Sequence, residues 1–358
     1  MDIGSRMQRL RSTLGDLDAL LVTRLVNIRY LSGFTGSAAS LLIGREAACF
    51  VSDGRYAEQS REQLGAAGCD ATIEIASGGA QERLARTITD WGARRLGFEA
   101  HGVTWAEHRS FSETFAGVEL VATEHTVEQL RQVKEPSEVE RIRAACAIGD
   151  DAFSEIVTLL PSGPSEQELA LELERAMRER GAESTSFDPI VASGPNSAKP
   201  HARPSTREIG RNELVVLDFG CVVDGYCSDM TRTVSVGDPG DDARRVFDVV
   251  LESQRAGRHA VADGVACAAV DTASREVVDE AGFGELFTHG TGHGVGLEIH
   301  EAPRVAATAS DTLAFGHVVT VEPGVYRPGV GGVRIEDTVV VTPHGAEPLT
   351  SSSKELVL

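Results

Sequence analysis

The sequence predicts an α+β protein in two parts. An α/β domain over residues 1–125 is joined by a linker at 126–136 to a larger domain over 137–358 with pseudo-two-fold symmetry. Three observations carry this. The 358 residues exceed the ~150 typical of one domain. A helix start directly behind Pro136 marks a boundary. The second part then repeats one pattern, a helix followed by a strand hairpin bearing two acids: Asp218 and Asp229 in one half, Glu322 and Glu336 in the other.

In the first domain, Leu17 to Val22 reads as a buried strand. Ala39 to Ile43 and Ala47 to Val51 read as a strand pair across Gly44-Arg45-Glu46. Gln81 to Ala93 sets Leu84, Ile88 and Trp91 at helical spacing, and Val118 to Val121 reads as a further strand. In the second domain, Ser137 as N-cap with Glu140 three residues on predicts a capping box and a helix to about Leu160. Pro161-Ser162-Gly163-Pro164 breaks it. Ser165 and Glu168 form a second box, opening a helix to about Arg180. Asp224-Gly225 is the strongest kind of hairpin signal. It pairs Val223 with Tyr226 and Asp218 with Thr231, which sets Asp229 diagonally across from Asp218 on one face. The second hairpin has a longer glycine-rich loop, and its register stays open.

Composition narrows the function. A net charge of −20 argues against nucleic acid or an anionic membrane as partner. No apolar run reaches the ~20 residues of a membrane span, and the first residues lack the apolar core of a signal peptide. Six scattered cysteines with no CxxC pair read as reduced thiols, implying a cytoplasmic protein.

Five residues suggest chemistry: Asp218, Asp229, His293, Glu322 and Glu336. Four clustered carboxylates repel and raise one another's pKa values, and two divalent cations balance their charge. An oxygen-rich set with one imidazole suits Mn²⁺ best, with Co²⁺, Fe²⁺ or Zn²⁺ as alternatives, and implies metal-assisted hydrolysis. Alternating Gly290, Gly292, Gly294 and Gly296 would leave one strand face bare for close backbone approach, with His289, Thr291 and His293 on the other. His300 has the opposite parity, so a bend must bring it to the same pocket. Arg304 reads either as a clamp for the free carboxylate of a dipeptide or as a solvated loop arginine. Asp53-Gly54-Arg55-Tyr56 reads as a turn, or as a lip reaching the site across a dimer. Neither a zinc HExxH motif nor a dinucleotide fingerprint is present: Arg304 stands where the second histidine would be.

The second domain resembles the "pita-bread" metallopeptidases, which include aminopeptidase P, prolidase, methionine aminopeptidase and creatinase. The matching stretches are Ile190 to Asn196 with His201, Leu217 to Gly220, Ser228 to Thr233, His289 to Glu301, Val321 to Gly324 and Arg334 to Asp337. The first domain resembles the creatinase-like domain of the Xaa-Pro peptidase branch through Tyr30 to Ser37 and Asp53 to Tyr56. The resemblance implies a dinuclear Xaa-Pro peptidase acting on proline-containing peptides or dipeptides, and a homodimer. It implies that Asp229 and Glu336 bridge two metals, that Asp218 completes one site, and that His293 and Glu322 complete the other. It makes Glu322 the general base, gives His201 and His300 the scissile carbonyl and oxyanion, and sets His289 in the proline pocket. It makes Arg334 and Tyr226 the groups that orient ligand carboxylates. Two other readings remain: a creatinase-like amidinohydrolase, which works without metal, and a catalytically silent module gripping a protein partner. Both sit poorly with a complete ligand set.

Overall fold

Residues 3–358 are described by a computed structural model, in which the chain divides into two units between Arg131 and Gln132. In the first unit the apolar run becomes β1 (Ala19–Val22), with every residue buried. It pairs antiparallel with β2 (Ala39–Gly44), which forms the expected hairpin with β3 (Ala48–Asp53), Ile43 opposite Ala48. β4 (Thr72–Ala76) extends that edge in parallel. On the other side β5 (Arg95–Glu99) and β6 (Glu119–Thr123) run parallel to β1, giving the order β4-β3-β2-β1-β5-β6.

The helices of this unit are α1 (Ile3–Ser12), α2 (Leu25–Ser32), α3 (Ala57–Ala66), α4 (Ala80–Asp90), α5 (Trp105–Thr114) and α6 (Thr126–Gln132). Of these, α4 matches the expected helix. α1 escapes a periodicity reading because Arg6 lies on its buried face, its guanidinium 4.1 Å from the Tyr30 ring centroid and bonded to the Tyr30 carbonyl. The boundary between the two units falls within the 126–136 segment, and α6 fills most of it. Asn27 explains why: its amide donates to Glu99 at 2.6 Å and to Glu128 at 2.7 Å, while Arg131 donates to its carbonyl at 2.7 Å. Asp53 is occupied locally, accepting from the Arg55 N–H at 2.9 Å and pairing with its guanidinium at 2.8 Å, which is the turn reading.

The second unit opens with α7 (Pro136–Ile156) and α8 (Glu166–Glu179). The first capping box lies two residues earlier than expected, with Glu135 as N-cap and Glu138 as N3; Glu138 accepts from the Glu135 N–H at 2.9 Å. Proline explains the shift, since its fixed φ and missing N–H suit the first helical position. The Ser165–Glu168 box forms as expected. Leu169, Leu173 and Met177 of α8 and Phe153 and Ile156 of α7 pack on Val191, Val215, Leu217 and Phe219, each large side chain contributing ~1.5–3 kcal/mol by burial.

The first half continues with β7 (Ser184–Thr185), β8 (Ile190–Ser193), β9 (Val215–Phe219), β10 (Cys221–Val223), β11 (Tyr226–Cys227) and β12 (Met230–Val234). The second contributes α9 (Asp241–Ala260), α10 (Cys267–Glu280), β13 (Gly292–Gly294), β14 (Glu301–Val305), β15 (Val318–Val321), β16 (Gly324–Arg327), β17 (Gly331–Arg334), β18 (Asp337–Thr342) and β19 (Gly345–Pro348). The halves share a central plan. β9 pairs with β12 and carries the β10–β11 hairpin; β15 pairs with β18 and carries the β16–β17 hairpin. Each half is therefore one long antiparallel excursion, split partway into two sheets. The acids lie at or beside the splits. No described helix is long and apolar enough to cross a membrane.

Candidate active site

The first hairpin has the register its turn dictates. Asp224 and Gly225 have φ of 48° and 79°, as a two-residue type I′ loop requires. Val223 then faces Tyr226 and Asp218 faces Thr231. Between them the ladder is interrupted at Gly220, where a Cβ would meet the Ser228 carbonyl oxygen at 1.8 Å. Only glycine fits this crossing, and it brings Asp229 round to the face of Asp218. Glu336 joins from the second half: its N–H donates to the Thr231 carbonyl at 3.1 Å, and its Oε2 accepts from the Thr231 hydroxyl at 2.7 Å. Asp218, Asp229 and Glu336 each present an oxygen within 4.8 Å of the others.

His293 is the centre of β13, where the bare glycine face is needed. A Cβ on Gly292 would strike the Thr320 carbonyl oxygen at 2.0 Å, and one on Gly294 that of Ala302 at 2.4 Å. Its Nδ1 bonds the Gly294 carbonyl at 3.0 Å. A carbonyl can only accept, so Nδ1 carries a proton and Nε2 is turned to the carboxylates, 3.2 Å from Glu322 and 3.5 Å from Asp229. A short relay sets the pair: the His293 N–H donates to the Thr320 hydroxyl at 3.1 Å, which donates to Glu322 at 3.1 Å. The Glu322 N–H is fixed on the Thr291 carbonyl at 2.8 Å.

The charges are crowded. Burial, reinforced by Glu336, Asp218 and Glu322, pushes the Asp229 carboxyl well above its ordinary range. Burial does the same to Glu336, with Glu322 and Asp218 adding repulsion. Burial also raises Asp218, against the pull of Arg334. For Glu322 burial opposes ionisation, but the hydrogen bond and charge of His293 outweigh it and hold the group at about 2. Asp218 Oδ1 and Glu336 Oε1 are buried with no hydrogen-bond partner. A buried acceptor left unmatched costs ~1–3 kcal/mol, more when charged. Unmatched carboxylate oxygens converging on one point beside an outward-turned imidazole nitrogen fit divalent-cation ligation.

Arg334 is bonded through Nη2 to Asp218 Oδ2, and through its other nitrogens to the Thr231 hydroxyl at 3.2 Å, the Pro200 carbonyl at 3.2 Å and the Tyr326 hydroxyl at 2.8 Å. Tyr226, expected to orient a ligand carboxylate, instead bonds Glu138 of α7 at 2.8 Å. It precedes Asp229 by three residues, an odd offset that turns it to the other face. Tyr326, which sequence reasoning missed, stands between Arg334 and His289, its hydroxyl 2.8 Å from His289 Nε2. His289 Nδ1 bonds the Gly290 carbonyl at 2.8 Å, so both nitrogens of this cavity-lining ring are engaged. Burial lowers the His289 pKa, keeping the ring neutral. Behind it, Arg275 of α10 bonds the Phe287 and His289 carbonyls at 3.0 and 2.8 Å, and its partner Asp271 holds the Thr291 N–H and hydroxyl at 3.1 and 2.9 Å. Asp271 and Arg275 were legible only as a helical i, i+4 pair.

These groups line a cavity of about 650 Å³, within the ~300–1,000 Å³ usual for small-ligand sites. His201, His300 and Arg304 line it too, as do Phe187, Asp188 and Ile190. The bend anticipated for His300 is present: its ring lies edge-on to His293 at 4.4 Å, and burial together with His293 lowers its pKa. Arg304 sits opposite His293 on β14, exposed, with no hydrogen-bond or carboxylate partner among the described residues.

Such a cluster, at the centre of a doubled antiparallel excursion, defines a metal-dependent hydrolase. Comparison with known proteins identifies the family. Residues 140–343 match the model of metallopeptidase family M24, and residues 6–133 match the creatinase/prolidase N-terminal domain. A solved Xaa-Pro dipeptidase from Bacillus anthracis is 41% identical with a TM-score of 0.96, over 99% of this chain and 100% of that one. An X-Pro aminopeptidase from Thermotoga maritima is 35% identical with a TM-score of 0.91, over 98% and 100%. The Xaa-Pro dipeptidase of Pyrococcus furiosus is 36% identical over 345 residues, 95% of each chain. The chain belongs to metallopeptidase family M24: a creatinase-like N-terminal domain followed by a pita-bread domain, and a metal-dependent peptidase.

Proposed function

We propose that the protein is an Xaa-Pro peptidase that holds two divalent ions on Asp218, Asp229, His293, Glu322 and Glu336, with a preference for dipeptides. The observation that carries the metal reading is the convergence of three buried carboxylates, two with an unmatched oxygen. Asp229 and Glu336 would be shared by the two ions, with Asp218 completing one site and His293 and Glu322 the other. The ions, when bound, would polarise the scissile carbonyl and make water a nucleophile near neutral pH. Glu322, steadied by the Thr320 hydroxyl, takes a proton from the attacking water. It returns that proton to the prolyl nitrogen as the carbon–nitrogen bond breaks, so one water is consumed and a free amine leaves. His201 and His300, both on the cavity wall, would donate ring N–H groups to the developing oxyanion. The His289 ring face receives the prolyl ring.

Arg304 favours the dipeptidase form. Its unpaired guanidinium on the cavity wall suits the carboxylate that a dipeptide carries just beyond proline. The oxygen-rich donor set favours Mn²⁺. Six free cysteines, five of them buried, support a reducing, cytoplasmic setting, and family resemblance supports a homodimer. The test is hydrolysis of Ala-Pro and Ala-Pro-Ala with Mn²⁺, before and after chelation. Chelator-sensitive cleavage of Ala-Pro alone is expected. Release of Ala from the tripeptide would make it an aminopeptidase P, and no cleavage of either would overturn the Xaa-Pro assignment.

A further inference from the structure

His201 lines the cavity, is exposed and makes no hydrogen bond to any described residue, so its place is set by the loop backbone that carries it. That loop runs from Ser193, the last residue of β8, to about Ser205. One side chain holds both ends. The Glu166 carboxylate, fully buried at the first position of α8, accepts through Oε1 from the Ser193 N–H at 2.7 Å and hydroxyl at 2.8 Å. Through Oε2 it accepts from the Ser205 N–H at 3.0 Å and hydroxyl at 2.6 Å. The Asn196 amide donates to both oxygens at 3.1 Å. Both serine hydroxyls are committed as donors to Glu166, because Arg207 already donates to each of them, through its guanidinium to Ser193 at 2.5 Å and its N–H to Ser205 at 3.2 Å. The Glu166 and Gln167 N–H groups donate to the Arg207 and Ser205 carbonyls, both at 3.0 Å. The first turn of α8 thus grips the far limb of the loop, where a carboxylate is also favoured by the helix dipole.

We propose that Glu166 is a positioning residue that sets His201 against the substrate by stapling the two limbs of its loop; this rests on the Xaa-Pro reading above. An acceptor-only anion is required, since every neighbour donates. Glu166→Gln keeps the shape but points an amide N–H₂ at a serine N–H, which releases one limb. A shift of about 1 Å in a positioning group costs ~100-fold in rate, so kcat for Ala-Pro should fall by about tenfold or more, with metal content unchanged.

The test is a double-mutant cycle with His201→Ala. If Glu166 acts through His201, Glu166→Gln adds little to the loss already caused by His201→Ala. A purely structural role would lower activity by the same factor in both backgrounds, which would overturn the proposal. Ser205→Ala, which removes one staple donor, gives the same cycle should Glu166→Gln fold poorly. A second readout is independent of substrate: the ring NMR signal of His201, identified by its loss in His201→Ala, should shift or broaden in Glu166→Gln. An unchanged signal would overturn the proposal even if the wild type cleaved no Xaa-Pro substrate. A wild type that is inactive on these substrates, with the signal moved, would refute the Xaa-Pro reading alone.

Discussion

Glu336→Gln should abolish metal uptake and yet stabilise the metal-stripped protein. Asp218, Asp229 and Glu336 present oxygens within 4.8 Å of one another. Two full charges at that separation repel by about 3.5 kcal/mol at an effective dielectric of ~20. Protonation caps the cost, since Asp229 and Glu336 both ionise well above the ordinary range. Removing one charge should therefore recover about 1–3 kcal/mol near pH 8. Glutamine keeps the acceptor for the Thr231 hydroxyl and sets a donor where Glu336 Oε1 has no partner. At ~2–4 °C per kcal/mol for a unit of this size, the thermal midpoint should rise by about 2–12 °C. The pH dependence has a fixed sign. A carboxyl whose pKa is raised by folding contributes stability below its unfolded pKa, near ~4, and loses it as pH climbs through the folded value. The advantage of Glu336→Gln should therefore be small near pH 5 and larger near pH 8. The assay is thermal unfolding of both chelated proteins at the two pH values, repeated with added Mn²⁺, where the wild type alone should gain. A variant less stable than wild type near pH 8 without metal, or a difference that ignores pH, would refute the account of a cluster strained by its own charge.

Glu322→Gln should cut turnover at least ~100-fold while the fold is retained by circular dichroism, since the amide keeps an acceptor for Thr320; near-normal kcat would remove Glu322 as the base. Arg334→Lys replaces a fork bonded to Asp218, Thr231, Tyr326 and Pro200 with one point charge. Metal affinity should fall about 10–100-fold by titration, and unchanged affinity would mean that the fork does not orient Asp218. Tyr326→Phe leaves His289 Nε2 and an Arg334 nitrogen without their shared partner. It should cost ~1–3 kcal/mol in denaturant unfolding and raise KM for Ala-Pro more than it lowers kcat; an unaltered KM would separate His289 from the substrate.

What could be read from the sequence divides by range. Asp224-Gly225 fixes a register by counting, so the facing of Asp218 with Thr231 and the approach of Asp229 follow from a two-residue turn. The alternating glycines of β13 likewise announce a backbone contact before the contacting strand is known. Tyr226 and Tyr326 show the opposite case. Both lie near ligands in sequence, and the one chosen points away because its hydroxyl finds Glu138, 88 residues distant. Glu166 is hidden for the same reason. Its capping-box neighbours Ser165 and Glu168 dominate the local pattern, while its own partners lie 27 to 39 residues on.

The second half shows why its register was harder to derive although its design is the same. Arg327 pairs with Gly331 around the three-residue loop Pro328-Gly329-Val330, and with Gly329 inside it and Gly331 and Gly332 directly after it the sequence permits several closures. Once that closure is set, one register runs from Arg327–Gly331 through Gly324–Arg334 to Val318–Val340, and it sets Glu322 opposite Glu336 at the split between the two sheets. In the first half the corresponding split falls at Gly220, beside Asp218 and Asp229. Strand pairing must lapse at such a split, and backbone groups there turn to other partners: the Glu336 N–H to Thr231, and the Glu322 N–H to Thr291. Those bonds tie Glu336 to β12 and Glu322 to the residue just before β13. The carboxylate cluster is thus assembled from the two places where the ladders fail, and its geometry depends on long-range backbone hydrogen bonds that a local reading cannot supply.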